Sequence, residues 1–133
     1  MSGLLPLVRC MLLCEEVVID PARANRYTLV GVLHTIRPIL TPGYPFRHPR
    51  MDVFAQLTSC HGPVQVWLEV VRADNGQVAI RSPTWRFPFR NDPLAVRSIV
   101  LRLNRVRYTA PGLYWVRLWY NNTLLAEQAL FAR

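Results

Sequence analysis

Apolar and polar residues alternate along most of this chain with a period of two, in short runs separated by glycine, proline, aspartate or asparagine. Alternation of this kind is typical of β-strands that bury one face. No window of useful length carries the spacing of an amphipathic helix. The pattern predicts about eight strands, in segments 8–19, 27–36, 51–60, 64–73, 77–89, 97–108, 113–120 and 124–131.

Turn signals between the runs predict how the strands connect. The sequence Asp74-Asn75-Gly76 predicts a hairpin, because Asn-Gly supplies the positive φ angles of a tight turn. Asp20 and Pro21 predict one short helical turn within 20–25. The proline-rich segment 38–49 is expected to be the longest connection, crossing between two sheets. Together these signals predict an all-β fold, a two-sheet and mostly antiparallel β-sandwich, with a closed barrel as the alternative.

The composition is that of a folded globular domain with a basic net charge. A chain of 133 residues is expected to fold as a single domain over 1–133, and with 51% apolar and 18% charged residues it is not a disordered chain. The net charge is +8, and every basic residue is arginine. Guanidinium groups favour carboxylates, phosphates and aromatic faces, so the charge raises the expectation of an acidic partner without naming it.

The cysteines and the N-terminal segment bear on location. Three cysteines are an odd number, which argues against a disulfide framework and favours reduced thiols in the cytoplasm. The first apolar run has no basic residue before it, is interrupted by Arg9, and lacks a small-residue cleavage site, so we expect no export signal. No run reaches the ~18 apolar residues that a membrane span requires.

Five short stretches carry a resemblance to a known family. They are Cys14-Glu-Glu-Val-Val-Ile-Asp20, Leu29-Val-Gly31-Val preceded by Asn25, Ala73-Asp-Asn-Gly76, Pro111-Gly-Leu-Tyr114 and Asn122-Thr-Leu-Leu-Ala126. In this order the chain resembles a bacterial family of short, uncharacterised proteins, a domain of unknown function. The resemblance implies a β-sandwich-like fold and brings no catalytic residues.

The stretch GLYWVRLWYNN at 112–122 holds the main candidate site. If it is a strand, one face is inward and consists of Tyr114, Val116, Leu118 and Tyr120. Trp115, Arg117 and Trp119 then point outward. A covering loop or the proline-rich crossover would make both tryptophans ordinary core. If the face is open, tryptophan with arginine is the composition of protein–protein contact centres. Val100, Arg102 and Trp67 are expected to extend the surface.

The sequence shows no pattern typical of a metal site or of a catalytic site. Zinc ligands normally come in pairs a few residues apart, and of the histidines and cysteines only Cys60 and His61 are close, so we expect no metal and no cofactor. The adjacent carboxylates Glu15 and Glu16 diverge on a strand, and no serine lies in a nucleophile-elbow pattern, so we expect no enzyme.

These considerations leave two main hypotheses, beside a third in which the protein carries a small ligand in an apolar pocket between the sheets. The first is a non-catalytic module that binds a protein partner or assembles with itself as a homo-oligomer. The alternative is a binder of single-stranded nucleic acid or another polyanion, whose phosphates would be neutralised by arginines near aromatic residues: Arg86, Arg90, Arg105 and Arg107. Against the alternative, Trp85, Phe87 and Phe89 alternate with the arginines and are expected to point inward.

Overall fold

The structure is a computed structural model that describes residues 5–23, 26–39 and 43–133. Those residues form ten β-strands in two sheets and contain no helix. The strands, numbered along the chain, are β1 Leu7–Ile19, β2 Tyr27–Val32, β3 Thr35–Ile36, β4 Phe46–Thr58, β5 Val64–Arg72, β6 Val78–Arg81, β7 Trp85–Phe87, β8 Arg97–Tyr108, β9 Gly112–Tyr120 and β10 Thr123–Ala132. It follows that the described residues include no helix long and apolar enough to cross a membrane.

The two sheets confirm the predicted all-β sandwich. One sheet has the order β2-β1-β4-β8, and the other has the order β3-β10-β9-β5-β6, with β7 also paired to β5. The β3–β10 pair is parallel and the other pairs are antiparallel. The described ranges hold ten strands rather than eight, because two predicted strands are broken. The run 27–36 divides into β2 and β3, and the run 77–89 divides at Ser82-Pro83, where proline cannot donate to the ladder.

The connection predicted over 38–49 is wrong in extent, because β4 begins at Phe46 and runs through Pro49. Proline is tolerated there because β1 pairs with β4 only from Asp52 onward, so that end of β4 lies at a sheet edge. Residues 40–42 lie outside the described residues. In place of the predicted short helical turn after β1, the described residues 20–23 form a hydrogen-bonded turn without a helix: the Asp20 carboxylate accepts a hydrogen bond from the Ala22 amide at 2.8 Å and the Asp20 carbonyl accepts one from the Arg23 amide at 3.3 Å. Residues 24–25 are not described.

The core lies between the sheets. On β9 the inward side chains Tyr114, Val116 and Leu118 are buried. Tyr114 meets the ring of Tyr108 edge-on, with ring centroids 5.0 Å apart, and its hydroxyl donates to the Ala110 carbonyl at 2.8 Å. Buried side chains from both sheets complete this layer, among them Met11, Leu13, Met51, Val53, Leu57, Val66, Leu68, Val70, Ile99, Leu101, Leu103 and Leu130.

A buried carboxylate links strands of the four-stranded sheet by hydrogen bonds on its outer side. Asp52 of β4 is fully buried, and it accepts hydrogen bonds from Arg50 at 2.8 and 3.2 Å, from Arg102 of β8 at 3.2 Å and from the Val17 amide of β1 at 2.9 Å. Burial alone raises the pKa of Asp52, but the hydrogen bonds from Arg50, Val17 and Arg102 outweigh it, and the pKa lies below its ordinary value. The ionised carboxylate therefore joins three adjacent strands.

Candidate interaction surface

The outer face of the six-stranded sheet carries the side chains that β9 does not send into the core. Trp115, Arg117 and Trp119 point to this outer face, opposite Tyr114, Val116 and Leu118, and each is half-buried. The predicted orientation of the strand agrees with the structure. From here on, the outer face means this side of strands β6, β5, β9 and β10.

A row of four alternating charges crosses the outer face. Arg81 of β6 is the direct register partner of Glu69 on β5, Glu69 is the partner of Arg117 on β9, and Arg117 is the partner of Glu127 on β10. Arg81 Nε lies 2.8 Å from Glu69 Oε2, and Arg117 Nε lies 2.9 Å from Glu127 Oε2. We call these four residues the charged row. Opposite charges on neighbouring strands stabilise the pairing of a sheet.

Glu69 is the buried member of the charged row. Only 5% of its surface is exposed, although it lies on the outer side of the sheet. Its second oxygen, Oε1, accepts a hydrogen bond from Trp119 Nε1 at 3.3 Å, so both carboxylate oxygens have partners. A buried carboxylate without partners would be strongly unfavourable, and these two contacts hold Arg81 and Trp119 in fixed positions around it.

Two apolar rows flank the charged row. On one side Trp67 of β5 stacks on Trp119, with ring centroids 5.5 Å apart and planes 10° from parallel, and Leu124 of β10 follows in register. We call this the tryptophan row. On the other side is the valine row, which consists of Val78, Val71, Trp115 and Ala129 in register. Leu124 and Val78 are exposed.

A shallow pocket of about 380 Å³ opens over the charged row and the valine row. Its lining includes Glu69, Val71, Arg81, Trp115 and Trp119. The outer face therefore combines rigid aromatic side chains, fixed charges and a depression. Aromatic and arginine side chains placed around a pocket are the usual centres of protein–protein contacts.

A family of unknown function, DUF6941, matches residues 9–133 of the sequence. The chain belongs to DUF6941. This confirms the resemblance to an uncharacterised all-β family. A comparison with curated proteins found no match.

Two solved structures are similar to this DUF6941 chain at 13% identity. An immunoglobulin-like protein from Pseudomonas aeruginosa is similar over 100% of both chains, with a TM-score of 0.47. The alkylpurine DNA glycosylase AlkC from Pseudomonas fluorescens, bound to DNA containing an abasic site analog, is similar over 92% of this chain and 30% of that chain, with a TM-score of 0.42.

Of the residues expected to extend the surface of this DUF6941 chain, Trp67 joins it and two do not. Val100 and Arg102 are on β8, which belongs to the four-stranded sheet. The expected extension through them is wrong, because consecutive strands of a sandwich often lie in different sheets and alternation carries no information on sheet order. Val100 packs on a separate apolar cluster around Phe54, and Arg102 is bound to Asp52.

Sequence reasoning missed Glu69, Arg81 and Glu127. Each lies at an outward position of its strand, but only the register of three strand pairs shows that they form one row with Arg117. The available signal was Glu69, a carboxylate on the otherwise apolar run VQVWLEVV at 64–71. A charge in such a run requires a partner once the strand is buried on both sides.

The four arginines of the polyanion alternative lie at two ends of the molecule. Arg86 is on β7, and the Arg90 carbonyl accepts a hydrogen bond from Arg97 at the start of β8. Arg105 and Arg107 are at the other end of β8, roughly 30 Å away for a rise of ~3.3 Å per residue. The expected inward orientation of the neighbouring rings agrees with the structure, since Trp85, Phe87 and Phe89 pack against the core.

One cluster of arginines was not expected. Arg47 of β4 is the direct register partner of Arg107, and Arg47 Nη1 donates to the Arg105 carbonyl at 3.1 Å. All three residues are exposed. The cluster lies on the four-stranded sheet, away from the tryptophans of the outer face. Within the described ranges, no three His, Cys, Asp or Glu side chains gather closely enough to hold a metal ion.

Proposed function

We propose that this DUF6941 protein is a non-catalytic, cytoplasmic protein-interaction module that binds through the outer face of its six-stranded sheet. The observation that carries the proposal is the arrangement of the outer face, in which three tryptophans lie in two apolar rows on either side of the charged row. An interface needs a rigid aromatic centre with satisfied polar groups, and this face provides both.

The fixed geometry supports binding rather than turnover. Each of the two carboxylates of the charged row is paired with an arginine of the same row, which supports a structural role for these charges rather than a catalytic one. Stacking of Trp67 on Trp119 and the bond from Trp119 to Glu69 hold the rings before a partner arrives. Preorganised side chains lose little conformational entropy on binding, which increases affinity.

A matched pair of substitutions tests the proposal. Leu124→Ser removes an exposed leucine from the tryptophan row, and Leu94→Ser removes one that is 91% exposed and lies off the outer face. We expect Leu124→Ser, but not Leu94→Ser, to weaken self-association or the binding of a co-purifying partner by about tenfold, which is about 1.4 kcal/mol. The measurements are solution mass by sedimentation and partner abundance by quantitative mass spectrometry.

The double variant Trp115→Ala/Trp119→Ala extends the test to the centre of the face. Both side chains are half-buried on the outside of the sheet, so removing them admits water to the Glu69 oxygen that Trp119 had bound, while Arg81 still binds the other oxygen. We therefore expect the variant to remain folded and to lose the interaction. A folded double variant with unchanged mass and unchanged partners would contradict the proposal, as would equal effects of Leu124→Ser and Leu94→Ser.

A second candidate function is binding of a polyanion at the cluster of Arg47, Arg105 and Arg107. Three exposed guanidinium groups placed together favour phosphate contacts. The test is binding of a labelled single-stranded oligonucleotide at several salt concentrations, with Arg47→Gln/Arg107→Gln as the variant and Arg86→Gln as the control. Affinity is expected to fall steeply with salt in the wild type. Equal binding by the variant and the wild type would contradict this candidate.

A further inference from the structure

The charged row is complementary to its own reversed copy. From β6 to β10 it reads positive, negative, positive, negative: Arg81, Glu69, Arg117, Glu127. Read in the opposite direction it is negative, positive, negative, positive. A second row placed face to face in reverse would therefore set every charge against an opposite charge.

Only one kind of twofold axis produces this arrangement between two outer faces. An axis that lies in the interface, parallel to the strands and between β5 and β9, exchanges β6 with β10 and β5 with β9. Arg81 then faces Glu127 of the second copy, and Glu69 faces its Arg117. An in-plane axis along the charged row would instead place each residue against itself, with like charges opposed, which is unfavourable.

The same axis brings the apolar rows together. Rotation about an axis parallel to the strands leaves the position of each row along the strands unchanged. The tryptophan row therefore meets the tryptophan row of the second copy, and the valine row meets its valine row. Trp67 would face Trp119 of the second copy, and Val71 would face its Trp115. Charge and apolar pattern thus agree on one arrangement, as a self-complementary patch requires.

We propose that the occupant of the outer face is a second copy of this chain, related by a twofold axis that runs parallel to β5 and β9 and passes between them. The inference rests on the proposed function, because it names the partner of the same surface. Two twisted sheets that pack face to face are rotated by about 30°, which displaces the ends of the two charged rows by only a few ångströms, a distance that arginine and glutamate side chains span.

The size of the outer face sets the expected strength of the dimer. Four strands spaced ~4.8 Å apart, and a length of six residues at ~3.3 Å each, give a flat footprint of roughly 400 Å². Stable complexes bury about 800 Å² on each partner. We therefore expect a dimer that dissociates on dilution, in the micromolar range of concentration.

A charge exchange between two variants tests the axis directly. Arg81→Glu alone would set two carboxylates against each other across the interface, and Glu127→Arg alone would set two guanidinium groups against each other. Each variant is expected to dimerise at least tenfold more weakly than the wild type. An equimolar mixture is expected to form a heterodimer, because both of its contacts between β6 and β10, one on each side of the axis, then join opposite charges. The double variant Arg81→Glu/Glu127→Arg should dimerise with itself.

A second measurement does not depend on Arg81→Glu, which deprives the buried Glu69 of a partner. Glu127→Arg removes the ion pair with Arg117, but Glu127 is exposed, so we expect the variant to remain folded, which thermal melting checks. Salt screens attraction in the wild-type dimer and repulsion in this variant, so rising salt should weaken the first and strengthen the second. Sedimentation velocity at two salt concentrations measures both.

The outcomes separate the two proposals. A wild-type chain that stays monomeric up to millimolar concentration would overturn the second copy as the occupant, while loss of a different partner by Leu124→Ser would still support the proposed function. A wild-type dimer that the charge variants leave unchanged would overturn the axis. If Leu124→Ser also had no effect on that dimer, the outer face would not be its interface and both proposals would be wrong.

Discussion

Replacing Asp52 by asparagine is expected to destabilise the fold by an amount that the structure allows us to work out. The carboxylate is fully buried and accepts three hydrogen bonds from guanidinium groups and one from the Val17 amide. Asparagine keeps a neutral acceptor but loses the charge. Breaking a buried ion pair costs about 3–5 kcal/mol when the remaining charge stays buried.

The expected loss of stability is smaller than about 3–5 kcal/mol because the arginine partners of Asp52 are partly exposed. The side chains of Arg50 and Arg102 are 33% and 51% exposed, so water rehydrates them once the carboxylate is gone. We therefore expect Asp52→Asn to lower the free energy of unfolding by about 2 kcal/mol, and the melting temperature by about 6 °C in a chain of this length. The control is Asp74→Asn, which breaks the pair between the partly buried Arg72 and the exposed Asp74 and should change stability by at most ~1 kcal/mol, because Asp74 is solvated.

The dependence of this difference on pH provides an independent check. The pKa of Asp52 is lowered in the folded chain. Its stabilising effect is thus fully present above the unfolded pKa of about 3.9 and is lost as pH falls through the folded pKa. Urea titrations should give a constant difference between wild type and Asp52→Asn from about pH 5 to 7 and a smaller one below about pH 4. Equal stability at pH 7, or a difference that grows as pH falls, would refute the reasoning.

Further substitutions and labelling test the packing. Tyr114→Phe should lower the free energy of unfolding by about 1 kcal/mol, because the Ala110 carbonyl loses its hydrogen-bond donor. Tyr108→Phe should leave the free energy of unfolding unchanged or raise it, because within the described ranges the buried Tyr108 hydroxyl has no hydrogen-bond partner. Thermal melts compare the two, and the reverse order would contradict the assignment. For the thiols, burial raises the pKa of Cys14 and Cys60, while Cys10 is partly exposed. A thiol reagent should therefore label Cys10 first in the folded chain and all three cysteines after unfolding. Labelling of fewer than three cysteines in the unfolded chain would indicate a disulfide.

Local pattern was enough to predict the strands and the direction of their side chains. Both faces of β9 are apolar except for Arg117, so the outward direction of Trp115, Arg117 and Trp119 follows from the period of two together with the position of that one charge. The start of β4 was not predictable in this way. Proline normally excludes a strand, and Pro49 is tolerated only because β1 does not pair with that part of β4.

Register and sheet order could not be predicted from the sequence because they depend on contacts between residues that are far apart along the chain. The expected use of Val100 and Arg102 failed for this reason, since nothing local shows that β8 and β9 lie in different sheets. The charged row likewise joins residues 69, 81, 117 and 127, which are brought together by three separate strand pairings. A one-residue slip in any of them would turn a member of the row to the other face.

The most direct test of the outer face as the binding surface is hydroxyl-radical footprinting at low and high protein concentration, read by mass spectrometry. Dimerisation through the outer face should reduce oxidation of Trp115 and Leu124 as concentration rises, while the exposed Leu94 keeps its rate. Unchanged oxidation of Trp115 and Leu124 under conditions where sedimentation shows a dimer would contradict the account, because the two copies would then meet elsewhere.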